Sequence, residues 1–238
     1  IALSQVVGMG VSLSGFKSGA PGAFSPPIPL ADWSHMDLRP ELQAVLDVPV
    51  WLENNATAGA IGEAMVGAGL AHHTFAYLSF NYGFGCGIIS GGMALAGGFG
   101  NAGELGRVYR ADEIPRRPAL GELLKRLRAE GLTIETISEL NRRYDPTWPG
   151  LEDWIAEVTP QLRLALRALC AVVDPTAIVF GGEATRDLRA RLIAQCAPQT
   201  TDRYGKPIPS PVLINSTLTT DPSAFGAALV PIKATLLV

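Results

Sequence analysis

Short apolar runs alternate with longer segments of helical periodicity along most of this chain. The runs end at Gly, Pro or Asn turns and contain many β-branched or aromatic residues, as strands do. They lie at 6–13, 48–52, 75–80, 84–89, 177–180 and 212–215. Apolar residues recur every three or four positions in predicted helices that begin near 40 and that span 57–69, 120–130, 134–143, 151–173, 185–196 and 224–237. This alternation predicts an α/β fold.

The most informative stretch is 50–110, where polar residues and glycines follow the apolar runs. Glu53, Asn54 and Asn55 stand at the end of a predicted strand. In open α/β sheets ligands usually bind at the carboxyl ends of strands, so these side chains are candidates for binding. The helix after them is built mainly of small residues, which indicates that another backbone approaches it closely.

Residues 74–103 carry no charge and are long enough to cross a membrane. Because the segment is dense in glycine and broken by polar residues at 79–82, we interpret it as an antiparallel hairpin of buried strands. Ten glycines between positions 83 and 106 indicate either tight turns or backbone brought against a ligand.

Two further features concern the second half of the chain. Gly181 and Gly182 follow a fully apolar strand and precede a helix, an arrangement that aims backbone N–H groups at an anion or nucleotide, although any βα turn can use glycines. Pro160 lies inside the longest predicted helix and should kink it or split it in two.

Composition limits the classes of function. A net charge of −3 argues against a nucleic-acid surface on this chain itself. Cys86, Cys170 and Cys196 are far apart and lie in or beside apolar runs, which favours free thiols in a reducing compartment over a disulfide. We therefore expect a cytoplasmic protein that does not enter the membrane.

Six segments of the chain carry motifs that occur together in one known family: Ser14-Gly15, 53–58, 83–87, 103–106, 174–182 and 225–228. In the order and spacing of these motifs the chain resembles, over nearly its whole length, the ROK family, which groups bacterial sugar kinases with sugar-responsive transcriptional repressors. The resemblance implies the actin-like ATPase (ribonuclease H-like) fold, two α/β lobes with a cleft between them. It divides the chain into the remainder of the N-terminal lobe (1–68), the C-terminal lobe (69–224) and a closing helix that returns toward the first lobe (225–238). The first lobe is expected to be incomplete, because the family's first phosphate motif would lie upstream of Ile1.

The departures from the family pattern concern catalysis and metal binding. Asn55 replaces the family's catalytic aspartate, and a carboxamide has no basic lone pair to accept a proton near neutral pH. Asn81 and Tyr82 replace the Gly and Thr of the phosphate loop, and Arg107 replaces a histidine that contacts sugar or zinc. The family's cysteine cluster is missing, so a structural zinc is not expected. We predict that no cofactor is needed, with ATP and Mg²⁺ required only if the chain is a kinase.

The resemblance also implies which residues face a ligand. The expected sugar contacts are Gly15, Asn54, Asn55, Glu104, Arg107 and Glu122, and the expected nucleotide or phosphate side is formed by Gly83, Gly85, Gly181 and Gly182. Three alternatives remain open: Glu104 could interact with free N–H groups at a helix start, Glu53 could support the loop from outside, and Arg107 could bind an anionic ligand or pair with a surface acid.

The leading hypothesis for function is a sugar-sensing, non-catalytic body of a ROK-type transcriptional regulator. It would bind a sugar or sugar phosphate, assemble as a homo-oligomer and contact DNA only through an upstream helix-turn-helix module. The alternative is an ATP-dependent sugar kinase with a substituted base, similar to glucokinases or N-acetylhexosamine kinases. A weaker alternative is an orphan binding or scaffold protein that keeps only the fold.

Overall fold

The computed structural model describes residues 5–218 and 221–236. The strands are β1 Met9–Leu13, β2 Phe16–Lys17, β3 Phe24–Ser25, β4 Val50–Asn54, β5 Phe75–Phe80, β6 Phe84–Ser90, β7 Met93–Ala94, β8 Ala177–Gly182 and β9 Val212–Asn215. The α-helices are α1 Leu38–Leu46, α2 Asn55–Val66, α3 Leu120–Ala129, α4 Ile137–Arg143, α5 Leu151–Val173, α6 Arg186–Ala194 and α7 Pro222–Leu236. The ends of the predicted first lobe and closing helix, 1–4 and 237–238, lie outside the described residues.

The larger sheet has the strand order β7-β6-β5-β8-β9. β8 runs parallel to both β5 and β9, whereas β5, β6 and β7 are antiparallel. Every residue of β5 and β8 is buried, as expected for central strands that are covered on both faces. The uncharged segment is therefore an antiparallel hairpin within this sheet, as the sequence predicted.

Helices cover the two faces of this sheet. On one face α3 and α5 contribute the larger apolar cluster, which includes Leu123, Leu127 and Trp154. On the other face the smaller cluster joins Ala60 of α2 to Phe75 and Val179. The sheet is thus packed between α3 and α5 on one face and α2 on the other.

The small residues of α2 allow backbones to approach it closely, which confirms the prediction. A Cβ on Gly226 of α7 would overlap the carbonyl group of Ala58, and a Cβ on Gly87 of β6 would overlap the carbonyl oxygen of Ala56. α7 also packs on β1, which pairs in parallel with β4 in a second, two-stranded sheet. Residues 222–236 thus pack against elements from the first part of the chain, while the division of the chain into lobes remains a prediction.

The long helix α5 is continuous across Pro160, so of the two predicted outcomes, a kink or a split, the split does not occur. Proline removes one backbone hydrogen bond, but buried residues on both sides, such as Ile155 and Leu162, keep the helix packed against the core. The three cysteines are free, as predicted. In the described ranges, no helix has both the length and the apolar character needed to span a bilayer.

Candidate functional site

A cleft of about 590 Å³ lies where the ends of β1 and β4 face the β5–β6 turn. It brings together six of the residues proposed from the sequence, Gly15, Asn54, Asn55, Gly83, Gly85 and Glu104. It also contains polar residues that the sequence did not single out as contacts, Ser14, Ser79, Asn81, Arg117 and Glu183. Amides, hydroxyls and carboxylates can pair with the hydroxyl groups of a polyol, so the cleft is our candidate binding site.

Asn54 uses its side chain to build the site. Its Oδ1 accepts hydrogen bonds from the backbone N–H groups of Ala56 (2.8 Å) and Thr57 (3.3 Å), so it is the N-cap of α2. This cap explains why α2 begins at Asn55, two residues before the predicted start. Asn54 Nδ2 donates to the carbonyl oxygen of Gly15 at 2.8 Å and thereby fixes the β1 end of the cleft.

Asn55 is more available to a ligand than Asn54. Its Nδ2 donates to Ser14 Oγ at 3.2 Å, and within the described part of the chain its Oδ1 has no hydrogen-bond partner. The side chain is held at the first residue of α2 and keeps an acceptor for a hydroxyl group. It can orient such a hydroxyl but cannot take its proton near neutral pH.

Glu104 lines the same cleft, and its carboxylate makes no hydrogen bond or ion pair with any residue that the structure describes. It precedes a 3₁₀ turn at Leu105–Arg107 but makes no side-chain capping hydrogen bond, so the alternative of a helix-start contact is wrong. No ion pair to this carboxylate occurs within residues 5–218 and 221–236. Burial raises the pKa of Glu104 and the charge of Arg107 partly offsets that rise. A carboxylate held in this way is a good acceptor for sugar hydroxyls.

The glycines of the β5–β6 hairpin have different roles. A Cβ on Gly85 would lie 3.0 Å from the Cβ of Ala56, so Gly85 is partly explained by packing on α2. A Cβ on Gly83 would meet nothing within 4 Å, so packing does not require a glycine there. Tyr82 is 60% exposed, and its ring lies over Gly121 at the start of α3. The large ring thus flanks the turn at the mouth of the cleft.

The N–H groups of residues 182–184 are not free, contrary to the prediction of a turn that aims them at an anion. Gly182 N–H donates to Tyr77 Oη at 2.7 Å, and Glu183 N–H donates to Asn81 Oδ1 at 2.9 Å. The next N–H, of Ala184, donates to the carbonyl oxygen of Phe80 at 3.0 Å. A Cβ on Gly181 would overlap the Tyr77 ring. These glycines are therefore explained by packing around a buried tyrosine, and both belong to β8 rather than to a turn.

Two residues expected at the site do not line the cleft. The guanidinium carbon of Arg107 stands 5.9 Å from the centroid of the Phe16 ring, so it contacts the cleft wall from outside. Glu122 forms an ion pair with Lys125 at 3.0 Å on the surface of α3. Glu53 likewise supports the site from outside through an ion pair with Lys17 at 3.0 Å.

Sequence reasoning missed Ser79 and Arg117. Ser79 is 2% exposed, and no hydrogen-bond partner of its Oγ lies among the described residues. A serine in a strand otherwise made of apolar and aromatic residues was a signal that could have identified it. The Nε of Arg117 is buried and has no partner within the described ranges, and no sequence pattern distinguishes this arginine from its charged neighbours.

A second cavity, of about 490 Å³, lies on the other side of Glu183. Its lining includes the cationic residues Arg142, Arg186 and Arg189. Arg189 is 5% exposed; it donates to the carbonyl oxygen of Ser216 at 3.2 Å, and its Nε has no partner in the part of the chain that the structure describes. Burial lowers the pKa of Arg189 but leaves it protonated. Burial also raises the pKa of Glu183, with the charge of Asp221 adding to the effect.

The described residues do not supply a metal centre. No group of three or more His, Cys, Asp or Glu side chains in them is arranged to hold an ion. The residues present do not fit the structural zinc of the resemblance, and we derive no chemistry through it.

Comparison with known proteins identifies the family. The model of the ROK family matches residues 2–233. Uncharacterized protein y4fQ of Sinorhizobium fredii is 28% identical over 97% of this chain and 59% of its own length. The xylose repressor of Bacillus subtilis is 38% identical over 80 residues, which are 34% of this chain and 21% of the repressor. This chain therefore spans well under two thirds of either relative.

Among solved structures, the ROK hexokinase from Thermus thermophilus superposes with a TM-score of 0.66 at 25% identity, covering 93% of this chain and 77% of that one. This likeness confirms the predicted actin-like ATPase fold, in which β1, β4 and the large sheet meet at the cleft. The repressor and the hexokinase also show that the chain is similar both to transcriptional regulators and to sugar kinases. With a family match over nearly its whole length, this chain belongs to the ROK family.

Proposed function

We propose that this chain is the sugar-sensing body of a ROK-type transcriptional regulator that binds its effector without phosphorylating it. The observation that carries the proposal is Asn55, an amide that the family resemblance assigns to the position of the kinases' catalytic aspartate. Its Nδ2 donates to Ser14 Oγ, which leaves it suited to hold a hydroxyl group but not to remove its proton. The similarity to the xylose repressor supports this branch of the family.

The turn after β8 supports the same proposal. A nucleotide phosphate at a βα turn is usually held by backbone N–H groups. Here the N–H groups of Gly182, Glu183 and Ala184 already donate within the protein. The Glu183 carboxylate lines both cavities, so a polyphosphate extending from one to the other would pass a like charge.

By the same proposal, effector binding in the cleft changes the geometry of a homo-oligomer in the cytoplasm, and DNA is contacted by an upstream helix-turn-helix module. No nucleotide, Mg²⁺ or zinc takes part. The effector is held through Asn55 and Glu104, with Asn54 and Gly15 fixing the cleft wall.

The second cavity favours one alternative, an ATP-dependent sugar kinase. Arg189 Nε and Asn141 Oδ1 are buried in its wall and have no partner among residues 5–218 and 221–236, and a polar ligand would satisfy such atoms. A nucleotide in this cavity would place its phosphates toward Glu183 and would require Mg²⁺ to offset that charge.

Titration calorimetry of the chain with neutral sugars, sugar acids, sugar phosphates and ATP–Mg²⁺ separates the two proposals. We expect sugar binding with no ATP binding and no ADP release in a coupled assay. The variant Asn55→Asp restores a proton acceptor, and we expect it to keep sugar binding while ADP release stays at background, because nucleotide does not bind. Phosphorylation by the unaltered chain would contradict the regulator proposal. ADP release by Asn55→Asp alone would show that nucleotide binds and that only the base is missing.

A further inference from the structure

Arg117 is an unpaired cation in the wall of the cleft. Neighbouring arginines have acidic partners: Arg110 pairs with Asp112 at 3.3 Å, and Arg116 pairs with the same carboxylate at 3.7 Å. Arg117 forms no ion pair or side-chain hydrogen bond within the described ranges, and its Nε is shielded from solvent. A buried N–H without an acceptor is destabilising, and more so when it carries charge, so this arrangement calls for an acceptor supplied from outside the chain.

Ser79 is a second, independent unsatisfied polar group in the same cleft. Its side chain is almost fully buried in β5, and its Oγ has no partner in the described part of the chain. An unsatisfied hydroxyl and an unsatisfied guanidinium N–H therefore line one cavity. Both can donate hydrogen bonds, so the cleft has more buried donors than the protein's own acceptors satisfy.

The carboxylates of the cleft do not neutralise Arg117. Neither Glu104 nor Glu183 forms an ion pair with it, and the pKa of each is raised mainly by burial rather than held low by a nearby guanidinium. The positive charge of Arg117 thus remains available to a ligand.

We infer that the effector bound in this cleft is a sugar carrying an anionic group, with Arg117 as the residue that selects for that group. A guanidinium presents a planar fork of N–H donors that matches a carboxylate or a phosphate, and charge-assisted pairs of this kind are roughly twice as strong as neutral hydrogen bonds. The hydroxyl groups of the same sugar would face Asn55 and Glu104, whose side-chain oxygens can accept hydrogen bonds from them. This inference rests on the proposed sugar-binding function and specifies its ligand class.

The test uses a panel of aldoses, each supplied as the neutral sugar, the sugar acid and the sugar phosphate, titrated into the full chain by calorimetry. We expect one acidic form to bind about 10- to 100-fold more tightly than its neutral counterpart, the range that one charge-assisted contact provides. Preference for the acid over the phosphate, or the reverse, identifies which anion the site takes.

Three variants assign the preference to Arg117. Arg117→Gln should reduce the acid-to-neutral affinity ratio to about one while leaving the affinity for the neutral sugar unchanged. Arg117→Lys should restore part of the ratio, because it returns the charge without the planar fork. Arg116→Gln, a change at the adjacent residue outside the cleft, should leave the ratio intact, and thermal unfolding should show all three variants folded.

The outcomes separate this inference from the proposed function. Neutral sugars that bind as tightly as their acids would overturn the inference and leave the sugar-sensing proposal standing. A preference that survives in Arg117→Gln, or a loss of affinity in Arg117→Gln that is equal for all three forms, would also overturn it. Failure of every sugar form to bind would overturn the proposed function and this inference with it.

Discussion

Removal of one hydroxyl group, by Tyr77→Phe, tests the explanation given for the turn after β8. Tyr77 is fully buried, and its ring lies between two glycines: a Cβ on Gly59 would come within 2.6 Å of the ring, and one on Gly181 would overlap it. Phenylalanine keeps the shape of that ring and creates no cavity. The change therefore isolates the hydrogen bond from Gly182 N–H to Tyr77 Oη, which is 2.7 Å long.

The size of the effect follows from what the change leaves behind. Gly182 N–H would be buried without an acceptor, and such a group costs about 1–3 kcal/mol. For a chain of this size, each 1 kcal/mol lowers Tm by roughly 2–4 °C. Burial also raises the pKa of Tyr77 well above its ordinary range, so the phenol stays neutral and the effect should be the same at pH 6 and at pH 9.

Urea unfolding followed by circular dichroism measures this change, with Tyr82→Phe as the matched control. Tyr82 is 60% exposed, so loss of its hydroxyl should shift stability by about 0.5 kcal/mol or less. We expect a lower midpoint for Tyr77→Phe with an unchanged m-value. A loss below about 0.5 kcal/mol would refute the reasoning, since it would mean that Gly182 N–H finds another acceptor. In that case the Gly182 N–H would not depend on Tyr77 Oη for its acceptor, and it could also donate to a bound phosphate.

Two further predictions concern packing and pH. Gly226→Ala should destabilise the protein by about 3 kcal/mol or more, because the added Cβ would overlap the carbonyl of Ala58 and force α7 away from α2. The control is Gly98→Ala, where a Cβ meets nothing within 4 Å. Equal unfolding midpoints for the two variants would contradict the prediction. Glu104→Gln should stabilise the ligand-free protein at pH 7 but not near pH 4. Burial raises the pKa of Glu104 in the folded state, so the folded state binds the proton more tightly than the unfolded chain does. The free energy of unfolding therefore falls as the pH rises from the unfolded-state pKa through the raised folded-state pKa. Thermal unfolding across pH measures the difference, and a stabilisation that grows toward low pH would contradict it.

The predictions that succeeded rest on periodicity and residue size. The strands and helices followed from the alternation of apolar runs and helical segments, because burial on one or both faces imposes that spacing. The close approach to α2 followed from its small residues, since only a missing side chain admits a neighbouring backbone such as that of Gly226. The continuity of α5 could not be predicted, because packing on both sides of Pro160 outweighs the local cost.

The site was predictable only in part, for a physical reason. Asn54, Asn55 and Glu104 follow strands or stand at turns, and strand ends converge in any sheet of this kind. Gly181 and Gly182 were interpreted as a phosphate turn, because the sequence does not reveal that Tyr77, about 100 residues earlier, accepts the hydrogen bond. Arg117 could not be identified from the sequence, because whether an arginine has an acidic partner is known only once the positions of its neighbours in the fold are known.

The contact between α7 and the early elements has a consequence for how the chain is made. A Cβ on Gly10 of β1 would overlap the carbonyl of Ala227, just as one on Gly226 would overlap Ala58. Because β1 and α2 come early in the sequence, they leave the ribosome long before α7, the helix that completes their packing, is synthesised. Contacts this distant in sequence form slowly, because a long loop must close before they can stabilise anything. In the interval the small-residue face of α2 is open, and we expect chaperone binding during synthesis to concentrate there.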